Sequence, residues 1–371
     1  MLGLLGLAAC SGMAGGGSGG GGIGGGMCPA FQLEKPSLPV VGFPESMVAA
    51  DLNGDGEPDL AVAGEGVSVL LNKGDGTFAP KVDYPTNNPA GGIAAADLDG
   101  DGKPDLAVVT YNVVDVLLNQ GGGTFAAPVL YQAPIGTGAG VVAVDLNGDG
   151  KPELVVAGPS GVIVLLNDGT GAFASSYGTG SGMTNAVGVA DLNGDGKPDL
   201  AVANFLAPSV GVLLNNGDGT FAAQVDYPTA ANNSPSTVAI ADLNGDGKPD
   251  LAVANAVTPC SVSVLLNKGD GTFAPEVHYP TGDPPTGLGI WVAAADLNGD
   301  GKPDLAVASG LGVDVLLNEG DGTFAPKVEH PTGTGPTSVA VADLNGDGKP
   351  DLAAASLVDN TVSVLLGTCA P

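Results

Sequence analysis

The fold of this chain is decided by the stretch Asp242-Leu243-Asn244-Gly245-Asp246-Gly247-Lys248-Pro249-Asp250, because the pattern D-x-[ND]-x-D-G-x-x-[DE] occurs seven times. The copies begin at Asp51, Asp97, Asp145, Asp191, Asp242, Asp296 and Asp343. Successive copies are therefore 46, 48, 46, 51, 54 and 47 residues apart. Spacing this regular indicates structural repeats of a single kind.

Each repeat contains four runs that are typical of β-strands. A run of small residues such as 338–342 precedes the loop, an apolar run such as 250–254 follows it, and a third run such as 261–266 comes next. The fourth run begins at a Thr-Phe pair such as Thr272-Phe273, after an N-x-G-D-G hairpin whose glycines supply the positive φ of a tight turn. We therefore predict an all-β, seven-bladed β-propeller with four antiparallel strands per blade and the small-residue strand innermost. The alternative, a parallel β-helix, needs a repeat of about nine residues.

The two ends of the folded region complement each other. The last repeat stops at residues 365–369, where its fourth strand should begin, and residues 31–44 resemble a fourth strand that lacks the other three. We predict that the N-terminal segment completes the last blade and closes the ring, which removes two exposed strand edges. Cys28 and Cys369 flank the interrupted hairpin, so we predict a disulfide between them in place of the missing turn, with two free thiols as the alternative. Cys260 is expected to be a half-buried thiol.

The start of the chain differs in composition from the rest. The run Leu7-Ala8-Ala9-Cys10 resembles a bacterial lipobox, so we predict lipidation of Cys10, with an ordinary secretory signal and a chance cysteine as the alternative. Residues 11–27 are glycine-rich and are expected to form a flexible tether. The domains are therefore a signal-like segment and tether over 1–27 and a propeller over 28–371. We expect a secreted protein or a bacterial cell-envelope lipoprotein, outside the cytoplasm.

The repeated loops carry the ligand chemistry of a calcium site. Positions 1, 3, 5 and 9 offer side-chain oxygens and position 7 offers a backbone carbonyl, which suits an ion that coordinates many oxygens. An EF-hand is excluded because position 12 is apolar, as at Val253, and because both flanks resemble strands. Magnesium is the second choice of ion, and a set of Asx turns without metal is the remaining alternative.

We predict about one Ca²⁺ per blade, and all seven loops look competent, including the third, which ends in glutamate. Glu57 and the lysines would contribute only their backbone carbonyls. The predicted ligands are Asp51, Asn53, Asp55, Glu57 and Asp59; Asp97, Asp99, Asp101, Lys103 and Asp105; Asp145, Asn147, Asp149, Lys151 and Glu153; Asp191, Asn193, Asp195, Lys197 and Asp199; Asp242, Asn244, Asp246, Lys248 and Asp250; Asp296, Asn298, Asp300, Lys302 and Asp304; and Asp343, Asn345, Asp347, Lys349 and Asp351.

The charge of the chain fits this interpretation. Three acids in each loop, plus Asp99, account for 22 of the 40 acidic residues, while 43% hydrophobic residues and a mean hydropathy of +0.26 indicate a packed protein despite the net charge of −29. All 11 cationic residues are lysine. The absence of arginine and the acidic balance exclude nucleic acid as an expected partner and disfavour an anionic membrane surface.

The loops, their strand context and their recurrence over residues 28–371 together resemble FG-GAP/VCBS repeats, the propeller repeats that also build the head of integrin α-subunits. The resemblance implies calcium-stabilised adhesion, carbohydrate binding or protein interaction outside the cytoplasm. Integrin heads carry metal loops on only some blades, whereas every repeat has one here. An integrin-like signalling role is therefore not expected.

No enzyme signature accompanies the repeats. The chain has no G-x-S-x-G elbow and no Cys/His pair, and His330 occupies a repeat position that holds tyrosine at Tyr84, Tyr227 and Tyr279. We therefore predict a protein that is not an enzyme, without catalytic residues. His278, the other histidine, replaces an aspartate of the repeat in the same way.

Recognition is expected on the face opposite the metal loops, where the repeats differ most. Trp291 stands five residues before its loop, where the other repeats have Ser, Gly, Ala or Thr, and it is our candidate ligand-binding residue. It would act as a stacking platform for a sugar or a peptide side chain, or else it would cap the axial cavity. We predict a monomeric binding or adhesion module for an extracellular protein or glycan. The alternative is a purely structural or surface-display envelope protein without a dedicated ligand.

Overall fold

The computed structural model describes residues 30–133, 136, 140–159, 161–179, 183–229, 234–256, 259–282 and 290–368. All regular elements within these ranges are β-strands. The described part of the chain accordingly contains no helix long and apolar enough to cross a membrane. The signal-like segment with Cys10, the tether, and the predicted disulfide partners Cys28 and Cys369 lie outside these ranges.

Of the thirty strands, 28 form seven antiparallel sheets of four strands each, which confirms the predicted seven-bladed propeller, and the other two, residues 119–121 and 124–125, form a separate two-stranded hairpin. Blades 1 to 6 consist of β2–β5, β6–β8 with β11, β12–β15, β16–β19, β20–β23 and β24–β27, and blade 7 consists of β28–β30 with β1. The strands in chain order are β1 (Ala30–Pro39), β2 (Ser46–Ala50), β3 (Asp59–Ala63), β4 (Val67–Leu70), β5 (Val82–Tyr84), β6 (Gly92–Ala96), β7 (Asp105–Thr110), β8 (Val113–Leu117), β9 (Asn119–Gly121), β10 (Thr124–Phe125), β11 (Val129–Gln132), β12 (Val141–Val144), β13 (Glu153–Gly158), β14 (Gly161–Asn167), β15 (Phe173–Thr179), β16 (Thr184–Ala190), β17 (Asp199–Asn204), β18 (Ser209–Leu213), β19 (Val225–Pro228), β20 (Pro235–Ala241), β21 (Asp250–Asn255), β22 (Ser261–Leu265), β23 (Val277–Pro280), β24 (Trp291–Ala295), β25 (Asp304–Ser309), β26 (Gly312–Leu316), β27 (Val328–Pro331), β28 (Pro336–Ala342), β29 (Asp351–Ser356) and β30 (Thr361–Thr368).

The first strands of the blades line the axis of the ring. β2, β6, β12, β16, β20, β24 and β28 each contact the first strand of the next blade, and β28 contacts β2. Strands that converge on one axis have little room for side chains, which explains the alanines and glycines of this strand. The prediction that the small-residue strand is innermost is therefore confirmed.

The ring is closed by the N-terminal strand. β1 pairs antiparallel with β30, with Phe31 opposite Gly367 and Leu38 opposite Val362, so it forms the outermost strand of blade 7. The predicted completion of the last blade is confirmed. It removes the free edge that β30 would otherwise present to solvent.

The fourth strand begins later than predicted in most blades. In blade 5 the predicted start was Thr272, but β23 begins at Val277, and Phe273 instead forms an isolated bridge with Asn267. Phe273 is buried, because the bridge turns its ring into the space between two blades. The Thr-Phe pair therefore closes the hairpin and does not open the strand. Blade 3 is different, since its hairpin ends in Ala172-Phe173 and β15 begins directly at Phe173.

The hydrophobic core lies between neighbouring blades. The second and third strands are buried on both faces, and Leu60 and Val62 of blade 1, for example, share a cluster with Ala353 and Val364 of blade 7. No blade can bury its own two faces, so the stability of each depends on both neighbours. Cys260 belongs to such a cluster and is fully buried, so the prediction of a half-buried thiol was wrong.

Candidate metal loops and the opposite face

The carboxylate at position 1 organises each loop. In blade 5, the Asp242 carboxylate accepts hydrogen bonds from the backbone N–H groups of Gly245, Asp246 and Gly247 at 2.8, 3.0 and 2.8 Å. The bond from the glycine at position 6 recurs in all seven loops at 2.7–2.9 Å. Gly247 has φ +80°, which non-glycine residues rarely adopt, so glycine permits the reversal of the chain.

The acid at position 9 is buried and joins the loop to the hairpin on the same face. Asp250 accepts a hydrogen bond from the Leu243 N–H at 2.9 Å and another from the Asn267 N–H at 2.7 Å. In the chain without a cation, burial raises the pKa of the equivalent residues Asp59 and Asp304 to about 6. A nearby cation would favour their charged form.

The second loop brings three carboxylates closest together. Oxygens of Asp97, Asp99 and Asp105 all lie within 4.8 Å of one another, the one such acidic group in the described ranges. Asp99 is the decisive member, because the other loops have asparagine at position 3. Asp101 is not in this group, since its carboxylate is paired with Lys103.

The residues present fit a hard divalent cation. Each loop gathers aspartate or glutamate carboxylates and an asparagine or aspartate side chain on one turn, and such an all-oxygen set suits Ca²⁺ or Mg²⁺ better than softer metals. In four further loops the lysine at position 7 lies 2.9–3.5 Å from the aspartate at position 5. Ion pairs this exposed contribute little free energy, so they would not compete strongly with a bound cation.

The role of the hairpin asparagine was not predicted from the sequence. The Asn215 side chain donates to the Pro198 carbonyl of its own blade at 3.0 Å and to the Leu146 carbonyl, in the metal loop of the preceding blade, at 2.8 Å. Its own N–H donates to Asp199 at 2.7 Å. The same bond to the preceding loop is made by Asn72, Asn119, Asn167, Asn267 and Asn318. Their recurrence in an N-x-G-x-G motif was the available signal.

Aromatic contacts also join neighbouring blades. Tyr84 of blade 1 packs edge-on against Phe125 of blade 2, with ring centroids 5.5 Å apart, and equivalent pairs recur around the ring. His330 takes the tyrosine place opposite Phe31 of β1, with centroids 5.2 Å apart. Burial lowers the pKa of His330. His330 therefore joins blades 6 and 7 in the same way as the tyrosines join other neighbouring blades.

His278 lies between a serine and a carboxylate in blade 5. The Ser263 hydroxyl is 3.2 Å from His278 Nδ1, and Glu276 Oε1 is 3.1 Å from His278 Nε2. The order resembles a hydrolytic triad, but Ser263 is fully buried and also accepts a hydrogen bond from Asn255 at 2.9 Å. A nucleophile must be reachable by its substrate, so this arrangement supports packing and not attack.

Trp291 lies at the axis and is buried. Its exposed fraction is 2%, and its cluster joins Val339 of blade 7 to Ala186 and Ala203 of blade 4, without a described residue of blade 5. The cluster must therefore extend across the axis of the ring. The Trp291 indole is its one side chain large enough to span that distance. This burial favours the cap over the stacking platform, because the ring offers no open face.

The opposite face is formed by the turns between second and third strands and by the links between blades, and we call it the connection face. Five large apolar side chains are exposed there, each by more than half of its surface: Phe43, Tyr111, Leu206, Leu311 and Val358. The other large apolar residues that are exposed in the described part of the chain lie on the outermost strands: Val82, Val129, Leu130, Val225, Val277 and Val328. None of the described metal loops or hairpins exposes one.

The FG-GAP-like repeat family matches the chain in six overlapping segments, each running from one metal loop past the next: residues 51–108, 97–156, 145–202, 191–253, 242–307 and 296–354. The chain belongs to the FG-GAP-like repeat family. No functionally curated protein matches its sequence.

Two solved propellers are similar in structure. A lectin of Agrocybe aegerita, described as recognising non-reducing terminal N-acetylglucosamine, is 26% identical with a TM-score of 0.57, over 76% of this chain and 79% of the lectin. The N-terminal part of BBS1, in complex with ARL6, is 16% identical with a TM-score of 0.64, over 91% of this chain and 97% of that one. The second likeness shows the fold alone.

We predict that Asn215→Ala destabilises the propeller while its neighbour Asn216→Ala does not. Asn215 is buried, and truncation of its side chain removes a hydrogen bond from the buried Leu146 carbonyl and another from the half-buried Pro198 carbonyl, so we expect a loss of about 2–4 kcal/mol. The exposed Asn216 bonds only within its hairpin, to Thr220, and its loss should cost less than about 0.5 kcal/mol. Urea unfolding measures both, and equal stability of the two variants would contradict the inter-blade role.

Proposed function

We propose that this protein is an extracellular, calcium-stabilised binding module that recognises a protein or glycan through its connection face. One observation carries the proposal. Among the described residues, the large exposed apolar side chains outside the outermost strands all lie on that face, in connections that differ from blade to blade. Exposed apolar patches on soluble proteins often mark interaction sites.

Calcium would be held by positions 1, 3, 5 and 9 of each loop, with the carbonyl of position 7. Seven divalent ions would bring the formal charge from −29 to −15 and remove the repulsion between carboxylates within each loop. Extracellular calcium modules typically bind at about 10⁻⁴–10⁻³ M, so such loops would fill outside the cytoplasm. Ions that bind only the folded chain add stability by mass action.

The structural relatives support binding over catalysis. One is described as a lectin and the other is in complex with a protein partner, so propellers of this shape accommodate both classes of ligand. Within the described residues, the histidines take part in blade packing. We therefore propose a non-enzymatic role.

The calcium proposal predicts seven ions per chain in native mass spectrometry at millimolar calcium. Asp242→Ala removes the carboxylate that organises one loop and should leave six ions with a lower Tm. Asp270→Ala is the matched control, because Asp270 is an exposed hairpin carboxylate that bonds only to Thr272. It should retain seven. A chain that binds no calcium at this concentration, or whose Tm is the same in calcium and in EDTA, would refute the proposal.

The binding proposal predicts that ligand recognition follows the connection face. Screening on a glycan array and against immobilised extracellular proteins should yield a ligand, and Leu311→Ser with Val358→Ser should weaken its binding about tenfold. Val225→Ser with Val277→Ser is the matched control, since these outermost-strand valines are similarly exposed. It should bind normally. A ligand that loses affinity only in the valine variant would place recognition elsewhere, and the absence of any ligand would favour the purely structural role.

A further inference from the structure

Three exposed apolar residues of the connection face lie in consecutive turns that are joined by hydrogen bonds. Leu311 is in blade 6, Val358 is in blade 7, and Phe43 is in the link from β1 to blade 1. The link between blades 6 and 7 bonds to both neighbouring turns, through the Thr332 N–H to the Leu311 carbonyl at 3.3 Å and through the Thr334 N–H to the Asp359 carboxylate.

The series of hydrogen-bonded turns continues across the closure of the ring, from blade 7 to blade 1. The Phe43 N–H donates to Asn360 Oδ1 at 2.7 Å, and the Glu65 N–H donates to the Gly42 carbonyl at 2.8 Å. Turns of blades 6, 7 and 1 are thus held as one surface. We call Leu311, Val358, Phe43, Asp359 and Glu65 the seam arc.

Phe43 is held in a conformation that a bulky residue rarely adopts. Its φ is +54°, in the left-handed region, yet 58% of its surface is exposed. The backbone is closely packed at this position, since a Cβ on Gly64 would lie 2.6 Å from the Gly42 carbonyl oxygen and 2.8 Å from that of Phe43. Burial therefore does not explain an aromatic residue at a position better suited to glycine or asparagine. Backbone strain of this kind clusters at ligand-binding sites.

The charge of the surroundings indicates the partner. Glu65 and Asp359 are exposed on either side of Phe43, whereas the Lys327 ammonium, which lies beside the turn of Leu311, is paired with Asp314. Carboxylates around an apolar centre complement a cationic, apolar ligand. The aliphatic side chains of Leu311 and Val358 suit the apolar side chains of a polypeptide better than the hydroxyl-rich faces of a sugar.

We propose that the seam arc docks a basic, apolar segment of a partner protein, with Phe43 as its central anchor. This inference rests on the proposed function, since it assigns a partner class to the connection face. Lysine or arginine side chains of the partner pair with Glu65 and Asp359. Its apolar side chains pack on Phe43, Leu311 and Val358.

The test measures fluorescence anisotropy of a labelled synthetic peptide of leucine and lysine, titrated with the calcium-loaded full chain. A peptide with glutamate in place of lysine is the charge control. Phe43→Asn should lower the affinity at least about tenfold, as expected for an anchor residue. Because asparagine tolerates positive φ, this variant should keep or raise the Tm, whereas a merely structural Phe43 would lower it. The double variant Glu65→Gln with Asp359→Asn should bind the lysine peptide more weakly, and its affinity should change less with salt concentration.

Leu206→Ser is the matched surface control, because Leu206 is exposed on the same face but belongs to blade 4. It should bind the peptide as the wild type does. The inference is overturned if the lysine peptide does not bind, if Phe43→Asn leaves its affinity unchanged, or if Leu206→Ser weakens it equally. If a glycan binds instead, and the connection-face variants weaken its binding, the proposed function is supported and the seam-arc inference is wrong. If no ligand responds to any connection-face variant, both fall.

Discussion

The structure depends on one buried hydrogen-bonding unit that is repeated around the ring. In blades 1, 2, 4, 5 and 6, the acid at position 9 of the metal loop accepts the N–H of the hairpin asparagine, whose side chain reaches the metal loop of the preceding blade. On the connection side, third-strand residues such as Ser68 and Asp115 accept bonds from the preceding link at 2.9 and 2.7 Å. These hydrogen bonds fix each blade in position against both of its neighbours. Packing of apolar strands alone would not specify that position.

This unit separates the two faces of the propeller by physical role. The metal-loop face repeats the same aspartates, glycines and asparagines, because each must satisfy the same backbone groups, and so it has little freedom to vary. On the connection face the side chain that bonds the preceding link changes from blade to blade, for example from Ser68 to Asp115, and the turns differ in length, charge and apolar content. Recognition evolves more readily where the fold tolerates change.

The regular repeat allowed the fold to be predicted from the sequence. Features that depend on contacts between distant residues could not be predicted in this way. Loop spacing predicted seven blades, and the missing strands at the two ends predicted the closure by β1. The bond between Asp250 and Asn267 could not be deduced, since it joins residues on separate turns. The burial of Trp291 depends on alanines across the axis, and the exposure of Phe43 depends on the backbone packing of Gly42 against Gly64. Neither the burial of Trp291 nor the exposure of Phe43 can be deduced from the local sequence. The loops predicted a site of the right chemistry, while the seam arc was found only from the structure.

Hydrogen–deuterium exchange of the full chain, in calcium and in EDTA, tests the division of roles most directly. The amides of the metal loops and of the hairpin asparagines should exchange more slowly in calcium in every blade, because the ion fixes the loop that each asparagine bonds. The connection-face turns, including Phe43 and Leu206, should show little change. Exchange that is independent of calcium, or protection confined to the connection face, would contradict a metal-held scaffold with recognition on its opposite side.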